Sequence, residues 1–337
     1  MSLPCCCLRR QSLYLHAMLA LVLGFSAAAG AQAGRGEPLP SWNDGPAKQA
    51  ILGFVSRVTT EGSPDFVPED ERIAVFDNDG TLWQEQPVVQ GAFLVERVKE
   101  LAAKDPSLRN RQPYKAVLEG DFASLKGADE REVMELLAVT HTNLTREQLQ
   151  AEVRDFLRAS RHPKLGVPYT RLAYQPMREL LQYLEDHGFQ TWISSGGGID
   201  FMRVFSEELY GIPPERVIGS SVEEKYGTRG GRKELWREPR VDHLNDKEGK
   251  PVGIDQHIGR RPLLAAGNVR SGGDIAMLEY SQGREGPSLQ LMINHDDARR
   301  EFSYQEKDEA SVKAARANGW TLVSIQRDWK DVFAPAP

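Results

Sequence analysis

Short, mainly apolar runs recur along this chain and limit what it can become. Ile73-Ala74-Val75-Phe76 is the first, followed by Gln190 to Ile193, Val217 to Ile218, Leu263 to Ala266, Leu289 to Ile293 and Thr321 to Ile325. Runs this short, apolar on both faces, read as strands buried on both sides. Helical patterns lie between several of them. The stretch Ala47 to Val58 is helix-like, and Met177, Leu180, Leu181 and Leu184 repeat at i, i+3, i+4, i+7, with Pro176 suited to a first turn and Gly188 to the stop. Strand and helix in alternation predict a doubly wound, Rossmann-like α/β sheet of parallel strands wrapped by helices.

One interval breaks the rhythm. About a hundred residues separate the first strand from the next, whereas a whole βαβ unit takes about 30. The insert reads as helical: Leu94, Val98, Leu101 and Ala102 share one helical face, as do Leu149, Val153, Phe156 and Leu157, the latter opened by a capping box from Thr145 to Gln148. The expected organisation is a core domain over residues 34–83 and 177–337, with a helical cap domain over 84–176.

The amino terminus has the layout of an address. Arg9 and Arg10 precede the apolar run Ala17 to Ala31, which ends in Ala31-Gln32-Ala33. That order of basic, apolar and small segments describes a signal peptide over residues 1–33, cleaved after Ala33, and predicts a periplasmic or secreted protein. The run is shorter than the roughly 20 apolar residues of a membrane span, so no membrane partner is expected after cleavage. All 3 cysteines, Cys5, Cys6 and Cys7, lie in this leader, so the mature chain has no thiol for a disulfide, a Cys nucleophile or a Cys-ligated zinc. A net charge of −6 leaves no basic surplus for a phosphate backbone, and nucleic acid is not an expected partner.

The chemistry concentrates in Asp77-Asn78-Asp79-Gly80-Thr81, directly after the first buried strand. Ligands of α/β sheets bind beyond the carboxyl ends of the strands. Carboxylates at i and i+2 of an extended chain face one side, and Gly80 lets the backbone turn behind them. Paired carboxylates without Cys or paired His favour a hard cation such as Mg²⁺. Taken alone, the same segment also suits a tight turn or a calcium loop.

The stretch IAVFDNDGTLW, Ile73 to Trp83, resembles motif I of the haloacid dehalogenase superfamily, its phosphatase branch in particular. Later segments are similar to the remaining motifs in order: Trp192-Ile193-Ser194-Ser195-Gly196-Gly197 to motif II, Lys250 in NDKEGKP to motif III, and Gly267-Asn268 through Asp274 to motif IV. The resemblance is closest to the phosphoserine-phosphatase-like group, whose helical cap lies between motifs I and II. It implies a Mg²⁺-dependent hydrolase of small phosphate esters. Asp77 would be the nucleophile that forms an aspartyl-phosphate, and Asp79 the acid and then the base. Thr81, Ser195, Gly196 and Lys250 would hold phosphate, with Ser194 and Lys247 as register alternatives. Asp77, Asp79 through its carbonyl, Asn268 and Asp274 would hold the metal. The second motif I aspartate distinguishes the phosphatases from the dehalogenases.

Two departures bear on function. Motif IV carries Asn268 in place of the usual acid, with Asp274 six positions later where four is usual. The acidic residue that phosphoserine phosphatases place nine positions after the nucleophile is Gln86 here, with Glu85 beside it. These point away from phosphoserine and toward a scavenging phosphomonoesterase. Trp83 and Glu85, where the chain enters the insert, are candidate substrate contacts, Trp83 being also a candidate hinge-packing residue. His295-Asp296-Asp297 reads as a polar loop at a strand end, with lining the site or binding a second metal as the alternative, and the hairpin-like Val222 to Leu244 as structural. Other readings of the same residues are a phosphotransferase or pyrophosphatase using the same nucleophile, and a non-catalytic receiver-like module.

Overall fold

The computed structural model describes residues 37–121, 136, 144–270 and 272–335; the signal peptide expected over residues 1–33 lies outside them. Seven strands form one sheet: β1 Ile73–Phe76, β2 Gln190–Gly198, β3 Val217–Arg229, β4 Arg232–His243, β5 Leu264–Asn268, β6 Leu289–Asn294 and β7 Thr321–Ser324. Their order is β4-β3-β2-β1-β5-β6-β7, and every pairing is parallel except β3 with β4. The chain moves outward from β1 to β2 and β3, then returns to lay β5 on the other side of β1. That reversal opens a crevice beyond the carboxyl ends of β1 and β5.

Alternation along β1 explains the two helical layers. Ala74 and Phe76 point into one apolar cluster with Ile51, Phe54, Met177 and Leu180, from helices α1 (Pro46–Thr59) and the later Gln175–Glu185. Ile73 and Val75 point into a second cluster on the opposite face, with Ile254, Met277, Leu278, Val312 and Ala315. A four-residue strand buried on every side chain thus has a helical layer on both faces, as its unbroken apolar run requires.

The described part of the insert is helical, comprising α2 (Val89–Lys104), α3 (Tyr114–Glu119) and α4 (Arg146–Ala159). The capping box forms, Thr145 accepting from the Gln148 backbone while Gln148 accepts from that of Thr145. Where the chain enters and leaves, the two passes pair: Gln84 N–H donates to the Leu172 carbonyl at 3.0 Å and Tyr174 N–H to that of Leu82 at 2.9 Å. Leu149, Val153, Phe156 and Leu157 join the same apolar cluster as Phe93 and Phe201, while Val98, Ala102, Leu108, Tyr114 and Val117 make a smaller cluster of their own.

The run Val217–Ile218 proves to be the buried start of a 13-residue strand. Beyond Ser220 that strand continues as an antiparallel ribbon with β4, turning at Gly230-Gly231. The ribbon is anchored at both sides. Buried Arg237 donates to Asp200 at 2.8 Å, and Arg146 of α4 reaches Glu224 at 3.2 Å.

The ends of the described chain are also joined. Asn43 N–H donates to the Asp328 carbonyl at 2.9 Å, Lys330 N–H to that of Ser41 at 2.8 Å, and the rings of Trp42 and Trp329 meet edge to face. Among the described residues no helix is long and apolar enough to cross a membrane.

Candidate active site

Asp77 continues the end of β1, its N–H donating to the Ala266 carbonyl of β5 at 2.9 Å. The chain then folds over the Asn78 carbonyl, which accepts from the N–H groups of Thr81 and Leu82. Gly80 adopts φ +78°, and a Cβ there would stand 2.8 Å from the Tyr304 hydroxyl and 3.0 Å from Asn268. Only glycine suits both the conformation and the space. The turn is braced from behind. His295 Nε2 donates to the Gly80 carbonyl at 2.8 Å, its Nδ1 lies 2.6 Å from Glu301, and the Tyr174 hydroxyl donates to the other Glu301 oxygen at 2.7 Å.

Three further segments converge on Asp77. Lys250, buried in the first turn of the helix Gly249–Ile258, donates to Asp77 Oδ1 at 2.7 Å and also to Asp274 Oδ1. Asn268, at the end of β5, donates through Nδ2 to Asp77 Oδ2 at 3.2 Å and to the Asp79 carbonyl at 2.8 Å. Asp274 accepts from the Asn268 backbone N–H at 2.8 Å. The longer motif IV loop therefore still returns its carboxylate to the strand end. Gly267 makes this possible, because a Cβ there would come within 2.4 Å of Asp274 Cβ.

Burial and crowding set the protonation of these groups. Burial, and then the charge of Asp77, push Asp79 up to about 6 against the hydrogen bond from Trp83 Nε1 at 2.7 Å. Glu85 is pushed up to about 7 by burial, opposed by Arg270, with which it is paired. Asp274 is raised by burial and by Asp77, opposed by Lys250. Burial acts to lower Lys250, but the charges of Asp274 and Asp77 outweigh it and hold the ammonium above the ordinary lysine range.

These shifts carry a consequence for stability. A carboxyl group raised on folding binds its proton more tightly in the native state, so its contribution is full near the unfolded value of about 4 and is lost as pH rises through the folded value. For Asp79 and Glu85 that loss runs through about 6 and about 7. Chelator-treated protein should melt several degrees lower at about pH 8 than at about pH 5.5, as read by calorimetry. A higher melting temperature at the alkaline end would contradict the assignment.

A cavity of about 710 Å³ opens above the strand ends, and Asp77, Asp79, Glu85, Ser195, Gly196, Lys250, Asn268 and Asp274 all line it. That is the size range of small-molecule sites. The structure separates the alternatives of register. Ser195 is on the wall, whereas Ser194 turns inward and accepts from Asn245 Nδ2 at 3.2 Å. Lys250 meets Asp77, whereas Lys247 is exposed. The register of β2 against β3 shifts between Ser194 and Gly198, and Gly197 N–H donates to Ser195 Oγ at 3.2 Å.

Two expected contacts are corrected. Thr81 is fully buried and off the cavity wall; its hydroxyl donates to Asp77 Oδ2 at 3.3 Å, so it orients the carboxylate and does not face phosphate. Trp83, expected as a substrate contact or a hinge-packing residue, has no exposed surface, stacks on Phe205 and donates to Asp79. It packs; it does not line the cavity.

Sequence reading also missed supporting residues. His295 and Asp297, expected in a polar loop, are buried, and His295 holds the Asp77–Thr81 turn through the Gly80 carbonyl. Asn245 fixes the end of β2 by donating to the Ser195 carbonyl at 3.0 Å. Arg270 partners Glu85, and the ribbon supplies Val222 and Val241 to the wall. A His immediately after a buried strand was the available signal for the first; a single Asn or Arg in a loop gives none.

The donor set suits a hard cation. Asn268 Oδ1 is buried with no hydrogen-bond partner, beside Asp77 Oδ2 and the Asp79 carbonyl, and a half-turn of the amide would exchange its nitrogen for that oxygen. Among the described residues no trio of His, Cys, Asp or Glu converges, so a cation here would rely on few carboxylates together with carbonyl oxygens.

A model of the haloacid dehalogenase-like hydrolase family matches residues 74–278, which spans β1, the insert, Lys250 and Asp274. The chain belongs to that family. Among solved structures, this family member is similar to a conserved functionally unknown protein from Anaerococcus prevotii DSM 20548, at 16% identity over 86% of this chain and 95% of that one, with a TM-score of 0.53. That likeness shows the fold. Weaker likenesses are to a protein with unknown function from Bordetella pertussis Tohama I (16% identity, 75% and 98% covered, TM-score 0.49) and a phosphoserine phosphohydrolase-like protein from Francisella tularensis subsp. tularensis SCHU S4 (17%, 72% and 99%, 0.38). No curated protein matches the chain.

Proposed function

We propose that this haloacid dehalogenase-like hydrolase is an exported, Mg²⁺-dependent phosphomonoesterase working through an aspartyl-phosphate on Asp77. The observation that carries the reading is the pairing of two unlike carboxylates at one cavity: Asp77 hydrogen-bonded to the Lys250 ammonium, and Asp79 raised toward neutrality. An acid must hold a proton, which the raised Asp79 suits, and a nucleophile needs its charge held in place, which the Lys250 ammonium on Asp77 suits.

In the first step an Asp77 carboxylate oxygen attacks phosphorus in line. The bond to the ester oxygen breaks, and the Asp79 carboxyl gives that oxygen its proton. In the second, Asp79 takes a proton from water as the water oxygen bonds to phosphorus, and the Asp77–phosphorus bond breaks to release phosphate. Lys250 and the Ser195 hydroxyl suit the equatorial oxygens, over which the transition-state charge spreads. Mg²⁺ held by Asp77, the Asp79 carbonyl, Asn268 and Asp274 would supply further charge neutralisation.

A phosphate-release screen over aryl phosphates, sugar phosphates, nucleotides and phosphoamino acids tests the activity. Excess EDTA should abolish turnover and added Mg²⁺ restore it, and chelator-insensitive hydrolysis would remove the metal from the scheme. Phosphate passing to an added alcohol would identify a phosphotransferase instead. Export rests on Arg9-Arg10, the apolar run Ala17 to Ala31 and Ala31-Gln32-Ala33. Amino-terminal sequencing of the protein from a bacterial host should read from Gly34, and an intact leader in the mature product would refute that cleavage.

A further inference from the structure

The cavity has a second end that the phosphate chemistry leaves unused. The same wall that holds Asp79 includes Val88 and Leu94 on the insert, Ile199 after β2, and Val222, Val241 and Leu244 on the ribbon and just beyond it. Unlike core residues, these keep accessible surface; Val241 is 36% and Leu244 63% exposed. Three separate segments thus present apolar side chains to the cavity that also holds the acid that would protonate the leaving oxygen.

The charged groups around that space are already committed or are negative. Among the described residues of the wall the cations are Lys250 and Arg270, the first bonded to Asp77 and Asp274 and the second to Glu85. Asp200 is held by Arg237. Asp246 stands exposed at the rim. Among the described residues of the wall, a leaving group carrying a second phosphate or a carboxylate would meet acids and no uncommitted cation, whereas a hydrocarbon body would cover apolar surface that water otherwise wets.

We infer that the site selects phosphate monoesters of uncharged alcohols with an apolar alkyl or aryl body. This rests on the phosphomonoesterase reading and names the substrate class of that same site. Val88, Leu94, Ile199, Val222, Val241 and Leu244 are its specificity residues.

Straight-chain monoalkyl phosphates from methyl to hexyl, assayed with Mg²⁺, provide the test. Each added methylene should raise kcat/KM about fourfold until the chamber is filled, which is the buried-methylene increment written as a rate ratio. Leu244→Asp and Val222→Asp should flatten that slope. A flat or falling series, or faster turnover of phosphoserine, glycerol phosphate or an aminoalkyl phosphate of equal length, overturns the inference. Calorimetric binding of the matching alkylphosphonates reads the chamber without turnover and should show the same increments in Kd. If no ester is hydrolysed, the phosphatase reading falls, and the phosphonate series still decides the chamber: affinity independent of chain length overturns it.

Discussion

Asp77→Asn should lower phosphate release by roughly 10⁴-fold or more while the protein stays folded, because a covalent route has no substitute for its nucleophile. The amide keeps the shape of the carboxylate; its oxygen can still accept from Lys250, while Thr81 and Asn268, which donate to the carboxylate, must turn their own oxygens toward its NH2. It also removes the negative charge that raises both Asp79 and Asp274. The folded state should therefore lose no more than about 1 kcal/mol, the scale of one ordinary hydrogen bond. Circular dichroism and a denaturant midpoint check the fold, and a phosphate assay checks the chemistry. Turnover within tenfold of wild type would take Asp77 out of the nucleophile role.

Lys250→Met should act on stability as well as on rate. The ammonium is buried and lies between two buried carboxylates, Asp77 and Asp274. Removing one partner of a buried ionic cluster leaves uncompensated charge, at a cost of about 3–5 kcal/mol. Mutual repulsion of the two acids adds to that at neutral pH and subsides as they take up protons in acid. The midpoint of urea unfolding should fall accordingly, with the deficit shrinking as pH is lowered. The pair Lys250→Met with Asp274→Asn should recover part of the loss, because the double variant removes the repulsion between the two acids and restores the net charge of the wild-type trio. An additive or worsened double variant would show that Lys250 contributes packing and not charge compensation.

Most of the sheet was legible because a strand buried on both faces has to be apolar at every position. Ile73–Phe76 and Leu264 to Ala266 satisfy that condition in the sequence and in the structure. The reading became less sharp where side chains serve two environments. Val217–Ile218 signalled only the buried part of its strand, since the remainder is a ribbon with polar and charged positions facing outward. At the site, local spacing singled out Asp77 and Asp79, the order of later segments singled out Ser195, Lys250 and Asp274, and all five line one cavity. Neither signal showed which way a buried side chain points. Thr81 and Trp83 are hydrogen-bonded to the Asp77 and Asp79 carboxylates yet turn toward the interior. Asn245 and His295 act through hydrogen bonds spanning 50 and 215 positions of the chain, a separation that no local pattern encodes.

The clasp between Ser41 to Asn43 and Asp328 to Lys330 has a bearing on when the protein becomes native. Segments at opposite ends of a polypeptide meet only after the whole of it has been synthesised, and the return of β5, β6 and β7 to the side of β1 likewise waits on late-made chain. While its carboxyl end is still in the ribosome, the molecule lacks the partners that would close it.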